Sequence, residues 1–152
     1  MINNLLGILS YENIYLIANC GVIPFWLLLI ILPNHGVTNF FAHSIIAPLL
    51  LASSYGLVAY DIFLEGNILD SFDLYRGLED LYSIFSSEAF LLIFWLHFLS
   101  ISLFLGAWIS RDSQRYMVPR FFVIISLILT YFTGPVGLLI YWFIRIFFAK
   151  KN

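Results

Sequence analysis

The sequence predicts an all-α integral membrane protein, built as a bundle of four transmembrane helices with an amphipathic surface helix between the second and the third. Hydrophobic residues make up 62% of the 152 residues and charged residues only 11%, whereas a soluble domain carries about 25% charged residues. The apolar residues also come in long runs, and a run of about 20 residues spans a bilayer as a helix. We therefore expect one membrane domain and no separate soluble domain.

The first two apolar segments cover residues 14–32 and 40–64. Backbone polar groups in lipid must be bonded internally, so each segment is predicted to be a helix. Pro24 lies inside the first segment and removes one helical N–H, which predicts a kink. In residues 68–86 acidic residues are interspersed with apolar ones at helical spacing, a pattern that predicts an amphipathic helix on the membrane surface.

The third and fourth apolar segments cover residues 89–109 and 121–148. Residues 134–137, Gly-Pro-Val-Gly, interrupt the fourth segment. Two shapes are open for it: a single kinked and tilted helix, or two half-helices that turn back on each other. We predict the kinked helix, because the first half alone is short for a membrane span.

Basic residues cluster in the loop before the fourth segment and again near the end of the chain. They are Arg111, Arg115, Arg120, Arg145, Lys150 and Lys151. Each cluster favours the cytoplasmic side by the positive-inside rule. Four full spans would place the two clusters on opposite sides, so the pattern leaves the orientation open.

The third segment carries a titratable side chain, His97, at a depth where polar groups are costly and normally face protein or water. We therefore expect its imidazole to point inward, at another polar atom or at a bound molecule. Three roles are open for it: structural hydrogen bonding, contact with a substrate as a catalytic group, or ligation of a chlorophyll-like pigment through the neutral imidazole. Five residues of helix separate His97 from Ser102 by about 140° and roughly 7.5 Å. The two side chains therefore address different neighbours, and Ser102 with Gly106 favours close helix packing.

Several classes of function are excluded. The net charge of −2 and the absence of a basic patch argue against nucleic-acid binding. The histidines at 35, 43 and 97 are too scattered for a di-iron membrane oxygenase. The sequence contains no Gly-rich phosphate loop, and we predict no metal site.

The C-terminal half carries ordered motifs: a Trp-x-His, a Leu-Phe-x-Gly-x-Trp stretch, an acid, a Pro in the following loop, and a Gly-Pro-x-Gly-Leu-Leu run before an Arg. With these motifs the chain resembles the neoxanthin-synthase-like family, the abscisic-acid-deficient type of plant plastid membrane protein with its bacterial relatives, and it looks like a bacterial-type member. The resemblance covers about residues 14–146. The positions that carry it are Asn19, Pro24, Trp26, Pro33, Trp95, His97, Leu103, Phe104, Gly106, Trp108, Asp112, Pro119, Gly134, Pro135, Gly137 and Arg145.

The resemblance implies a relationship to proteins that convert violaxanthin to neoxanthin, an epoxide isomerisation without redox change. Epoxide opening needs a proton donor at oxygen and a base for the departing C–H proton. The intramembrane Asp usual in the family is Ser102 here, and the neighbouring Arg of the bacterial pattern is Ala107. A serine hydroxyl titrates too high to replace the carboxylate unaided.

Two functions follow. The first is a carotenoid- or isoprenoid-handling membrane protein, with xanthophyll epoxide isomerisation as its reaction if it is an enzyme. The second is a non-catalytic membrane subunit of a larger photosynthetic pigment–protein complex that binds carotenoid, chlorophyll or lipid. The candidate catalytic residues are His97, Asp61 and Asp112. The candidate substrate or pigment contacts are Tyr55, Trp26, Asn19, Trp95, Ser102, Gly134 and Pro135.

No cofactor is required for either function, although a bound carotenoid or chlorophyll fits both. The expected partners are the lipid bilayer, a carotenoid or other polyene, and a larger membrane complex or a second copy of the chain, but not nucleic acid. The expected location is a bacterial inner, intracytoplasmic or thylakoid membrane.

Overall fold

The computed structural model describes residues 10–44, 46–65, 72 and 75–148, with the backbone alone at residues 61 and 63–65. Apart from short connections, these residues form seven helices. They are α1 Tyr11–Ile31, α2 Gly36–Phe41, α3 Ile46–Glu65, α4 Leu78–Phe85, α5 Glu88–Arg115, α6 Arg120–Thr133 and α7 Pro135–Phe148. The prediction of an all-helical protein is confirmed.

Three stretches of the described chain are long and apolar enough to cross a membrane. They are α1, α5 and the stretch from α2 into α3, Gly36–Tyr60. Large apolar side chains cover their outer faces, among them Ile17, Leu50 and Phe104, which are 63%, 58% and 52% exposed. Lipid tails are as apolar as such side chains, so this surface suits a bilayer.

Helix α5 lies at the centre of the fold and packs against α1, α3 and the α6–α7 pair. Near its start, the indole nitrogen of Trp95 lies 3.2 Å from Asn19 Oδ1 in α1. Near its end, Gln114 Nε2 donates to the carbonyl of Pro33, just after α1, at 3.2 Å. Helices α1 and α5 therefore run parallel. His43, which precedes α3, lies 3.1 Å from Ser110 Oγ, so α3 runs antiparallel to both.

Helices α6 and α7 fold back on each other as a hairpin. The rings of Phe122, near the start of α6, and Phe148, at the end of α7, stack with centroids 4.7 Å apart. A continuous helix over the same residues would separate them by about 39 Å. The prediction of a single kinked fourth helix is therefore wrong, and within the described residues three stretches rather than four are long and apolar enough to span a membrane.

Two glycines, at the turn of the hairpin and just after it, allow the chain to fold back. Gly134 has a φ of +58°, a left-handed conformation that costs any residue with a Cβ. A Cβ on Gly137 would overlap the backbone of Thr130, so its absence lets α7 start directly against α6. Pro135 is the first residue of α7, where its missing N–H and fixed φ suit a helix start.

The interior between the helices contains small hydroxyl side chains. They are Ser102, Ser110, Ser113, Ser126 and Thr130, all buried. Ser126 donates to the carbonyl of Phe122 at 3.0 Å and Thr130 to that of Ser126 at 2.7 Å. These bonds satisfy the hydroxyls within their own helix, and the small side chains let neighbouring helices approach closely.

The predicted amphipathic helix over residues 68–86 corresponds to the shorter α4. Leu78 and Tyr82 in α4 are 80% and 77% exposed, and Phe85 packs edge-on against Phe94 of α5 with centroids 5.0 Å apart. Exposed apolar side chains next to Glu79 and Asp80 suit a helix at the membrane surface, and that position stays a prediction. Residues 68–71, 73 and 74 lie outside the described part of the chain.

Candidate functional site

The α6–α7 hairpin covers only part of the length of α5. Its tip, Gly134, lies beside α5 at the level of Ser102 and Phe98, because a Cβ built on Gly134 would be 3.3 Å from Ser102 Oγ and 3.5 Å from the Phe98 ring. From Phe98 back to Glu88, α5 continues for about 15 Å beyond the tip. That distance is about half of the roughly 30 Å hydrocarbon core.

A groove lies along this uncovered part of α5, between it and the first half of α1, with a volume of about 710 Å³. Its lining residues are Tyr11, Glu12, Tyr15, Glu88, Leu91, Leu92, Phe94 and Trp95. Small-molecule sites typically measure about 300–1,000 Å³ and combine apolar walls with a few polar groups. Here the walls are mainly aromatic and leucine, and two carboxylates stand where α1 and α5 begin.

Trp95 forms a fixed wall of the groove. Its indole N–H donates to Asn19 Oδ1 at 3.2 Å, and Asn19 in turn donates to the carbonyl of Tyr15 at 2.7 Å. The Trp95 ring also stacks on Phe98 with centroids 5.4 Å apart. The sequence-based candidates Asn19 and Trp95 are thus brought together, with Trp95 lining the groove and Asn19 holding its orientation.

A second polar cluster lies at the other end of α5, around Asp112. Tyr141 donates from Oη to Asp112 Oδ2 at 2.6 Å, and Arg145 Nε lies 3.1 Å from the same oxygen. The guanidinium of Arg145 also lies over the ring of Tyr116, 3.9 Å from its centroid. Asp112 is only 11% exposed, so the cluster ties α7 to α5 and presents little surface to a ligand.

His97 does not face the interior of the described chain. Its side chain is exposed and lies beside the ring of Tyr55 on α3, with centroids 6.4 Å apart. The expectation that this imidazole points inward is wrong, because α3 and α5 cross so that position 97 lies at the rim of their contact. His97 and Asp112 are also about 22 Å apart along α5, so they cannot serve one reacting bond. The side chain of Asp61, the third catalytic candidate, lies outside the described residues.

The remaining candidates belong to the interior near the hairpin. Trp26 packs under Gly106, where a Cβ would come within 2.7 Å of the ring, and meets Tyr131 edge-on with centroids 5.4 Å apart. Ser102 is 3% exposed and lies at the hairpin tip beside Gly134. These residues, with Pro135, set how close the helices lie rather than line the groove.

Sequence reasoning missed a histidine cluster that joins the loop before α3 to the end of α5. His43 Nε2 lies 3.1 Å from Ser110 Oγ and its Nδ1 lies 2.8 Å from Asn39 Oδ1. This is the order of a nucleophile, a base and an orienting group. However, Ser110 is 1% exposed, so a substrate cannot reach it. It also lies inside a helix, where the backbone N–H groups are already hydrogen-bonded and cannot stabilise a negatively charged intermediate. The cluster therefore holds the loop before α3 against α5. His43 and Ser110 are 67 residues apart in the sequence, so no local sequence pattern could predict their contact.

Among the residues that the structure describes, no three His, Cys, Asp or Glu side chains lie close enough together to hold a metal ion, and the absence of a metal site stays a prediction.

The fold and the groove define a class: a helical membrane protein with an aromatic-walled groove between α1 and α5. Comparison with known families is more specific, because the model of the ABA DEFICIENT 4-like family matches residues 13–141. The chain belongs to that family, which indicates a carotenoid-related function. No curated protein and no solved structure matches the chain significantly.

Proposed function

We propose that the protein binds a carotenoid or a closely related polyene in the groove between α1 and α5. The observation that carries this proposal is the groove itself: an aromatic-walled space of about 710 Å³ that opens laterally where the hairpin ends. An extended polyene is flat, stiff and apolar, so it gains from contact with fixed aromatic planes such as Trp95. The family relationship supports the same class of ligand.

The depth of the groove indicates which part of such a ligand it holds. The uncovered part of α5 is about 15 Å long, whereas a polyene that spans the bilayer needs roughly 30 Å. The groove therefore takes one end ring and the adjoining part of the chain. Glu12 and Glu88 line the outer end, where a carboxylate accepts a hydrogen bond from a ring hydroxyl and repels an anionic headgroup.

Binding without isomerisation is what the residues support best. Position 102, where the resemblance to the family implies an acid, lies at the hairpin tip, about 10 Å along α5 from Trp95 in the groove wall. A carboxylate there would be placed to exchange protons only with a ligand that reaches past Trp95, and the Ser102 hydroxyl cannot do so at neutral pH. His97 lies on another face of α5, and Asp112 lies at its other end, so neither supplies the missing group.

A second candidate function is that of a subunit that packs against a larger pigment-bearing assembly in a photosynthetic or other inner membrane. The exposed His97, beside Tyr55, favours it. An imidazole in the hydrocarbon region is costly unless something bonds to it. A neighbouring subunit or the metal of a chlorophyll-like pigment would meet that need. This candidate predicts that gentle extraction recovers a larger complex, and that His97→Leu releases the chain from it.

The first proposal is tested with two matched substitutions. Leu91 in the groove and Leu139 on the outside of α7 are both 55% exposed. Purified protein is incubated with a hydroxylated epoxy-carotenoid, and bound pigment is measured by absorption and chromatography. We expect Leu91→Trp to lower bound pigment at least tenfold and Leu139→Trp to leave it unchanged. Equal binding by both variants and the parent would overturn the groove as the site. An allenic product in the chromatogram would instead show isomerisation.

A further inference from the structure

The two ends of the helix bundle differ sharply in charge. In the described chain, Arg111, Arg115 and Arg120 lie where α5 ends and α6 begins. The hairpin brings Arg145 back to that same end, since it pairs there with Asp112. In the sequence Lys150 and Lys151 follow directly. We call this the arginine end.

The opposite end of the bundle is acidic where the structure describes it. Glu12, Glu79, Asp80 and Glu88 lie there, at the starts of α1, α4 and α5. Arg76, just before α4, is the basic residue that the described part of the chain adds to this end. Acidic side chains have little effect on membrane orientation. The basic residues decide it, and the described chain has four arginines at the arginine end and one at the acidic end.

The hairpin removes the conflict that four spans would create. Four spans would place Arg111, Arg115 and Arg120 on one side of the membrane and the C-terminal basic residues on the other. With α6 and α7 folded back, as the 4.7 Å stacking of Phe122 on Phe148 requires, Arg145 lies on the same side as the three arginines of the α5–α6 connection. The positive-inside rule then applies without contradiction, because the short connections at one end hold the Lys and Arg excess.

We infer that the arginine end faces the cytoplasm and that the groove therefore opens into the non-cytoplasmic leaflet, from which its ligand enters. The groove is lined by Glu12 and Glu88, at the acidic end, and the hairpin closes it toward the arginine end. A ligand can reach the walls of the groove sideways from lipid in that leaflet. The identity of this ligand rests on the proposed function, whereas the orientation rests only on the charges and the hairpin.

The test uses single cysteines and a membrane-impermeant maleimide on intact bacterial spheroplasts. Cys20 is exposed and is first replaced by Ser. Glu12→Cys, at the groove, and Arg115→Cys, at the arginine end, are then compared in that background. We expect labelling of residue 12 in intact spheroplasts, and at least tenfold weaker labelling of residue 115 until the membrane is permeabilised. Strong labelling of residue 115 in intact spheroplasts, alone or together with residue 12, would overturn the inference.

Two further measurements keep the outcome decisive. Labelling of both variants in denaturant shows that each thiol reacts, and a thermal unfolding midpoint within a few degrees of the parent shows that each variant is folded. Arg111→Cys replaces Arg115→Cys if the latter does not fold.

Failure of this inference is separate from failure of the proposed function. Reversed labelling in a protein that binds carotenoid overturns the orientation alone, and the expected labelling without carotenoid binding overturns the function alone.

Discussion

Gly106 is a residue whose lack of a side chain sets the distance between two membrane helices. A Cβ there would come within 2.7 Å of the Trp26 ring, whereas a Cβ on Gly56 in α3 meets nothing within 4 Å. Both glycines lie inside helices, where Ala is otherwise preferred by about 1 kcal/mol.

The two glycines give a matched prediction. Gly106→Ala is expected to lower the free energy of unfolding by about 1–3 kcal/mol, because overpacking forces α1 away from α5. Gly56→Ala is expected to leave it unchanged or raise it slightly. The measurement is thermal unfolding in detergent, followed by tryptophan fluorescence. Equal midpoints for the two variants would contradict the close contact.

Asp112 gives a second prediction at the scale of single residues. It accepts a hydrogen bond from Tyr141 and pairs with Arg145, and a hydrogen bond to a charged group contributes about 1.5–3 kcal/mol. Tyr141→Phe removes one hydroxyl without leaving a cavity, so we expect a loss within that range. Tyr60→Phe is the control, since Tyr60 is 61% exposed. If both variants unfold at the same temperature, the bond does not stabilise the fold.

At the scale of single residues, the sequence predicted some side chains that the structure brings together, but not always the direction in which a side chain points. Asn19 and Trp95 were predicted as ligand contacts, and the structure joins them at the groove. His97 was expected to face inward, but helical periodicity gives only the angle between side chains on one helix. Which side chains of α5 contact α3 depends on how the two helices pack against each other, and no local sequence pattern predicts that packing.

The hairpin is the element whose position the sequence predicted correctly and whose shape it did not. Gly134 and Pro135 predicted a break, and both a kink and a turn satisfy the same four residues. The long-range contacts that decide between them are the stacking of Phe122 on Phe148 and the pairing of Arg145 with Asp112. These contacts join residues 26 and 33 positions apart, beyond the reach of a periodicity argument.

A disulfide cross-link tests the hairpin directly. In a Cys20→Ser background, cysteines at 122 and 148 are expected to form an intramolecular bond under mild oxidation, because their parent rings lie 4.7 Å apart. Cysteines at 122 and 136 should not, since residue 136 lies next to the hairpin turn and α6 extends about 16 Å from residue 122 to that turn. The readout is a mobility shift on a reducing and a non-reducing gel. Bonding of the control pair, or none at 122 and 148, would exclude the hairpin.

The helices that the structure describes cross the bilayer an odd number of times if the hairpin enters and leaves on one side. Helix α1 starts at the acidic end, and α7 finishes at the arginine end. The predicted four spans would instead bring both termini to the same side. The crossing number is thus a property of the complete fold that follows from one turn.

Terminal tags test the crossing number without assuming which side is the cytoplasm. The chain is given one protease-cleavable tag at each terminus and is placed in sealed vesicles, to which protease is added from outside only. Each molecule is expected to lose one tag and keep the other, as read from blots against both tags. A third tag inserted at residue 66, after α3, should share the fate of the N-terminal tag, because α3 ends where α1 begins. Molecules that lose both terminal tags, or keep both, in vesicles that remain sealed would show an even number of crossings, and the hairpin would then have to span the membrane as one helix.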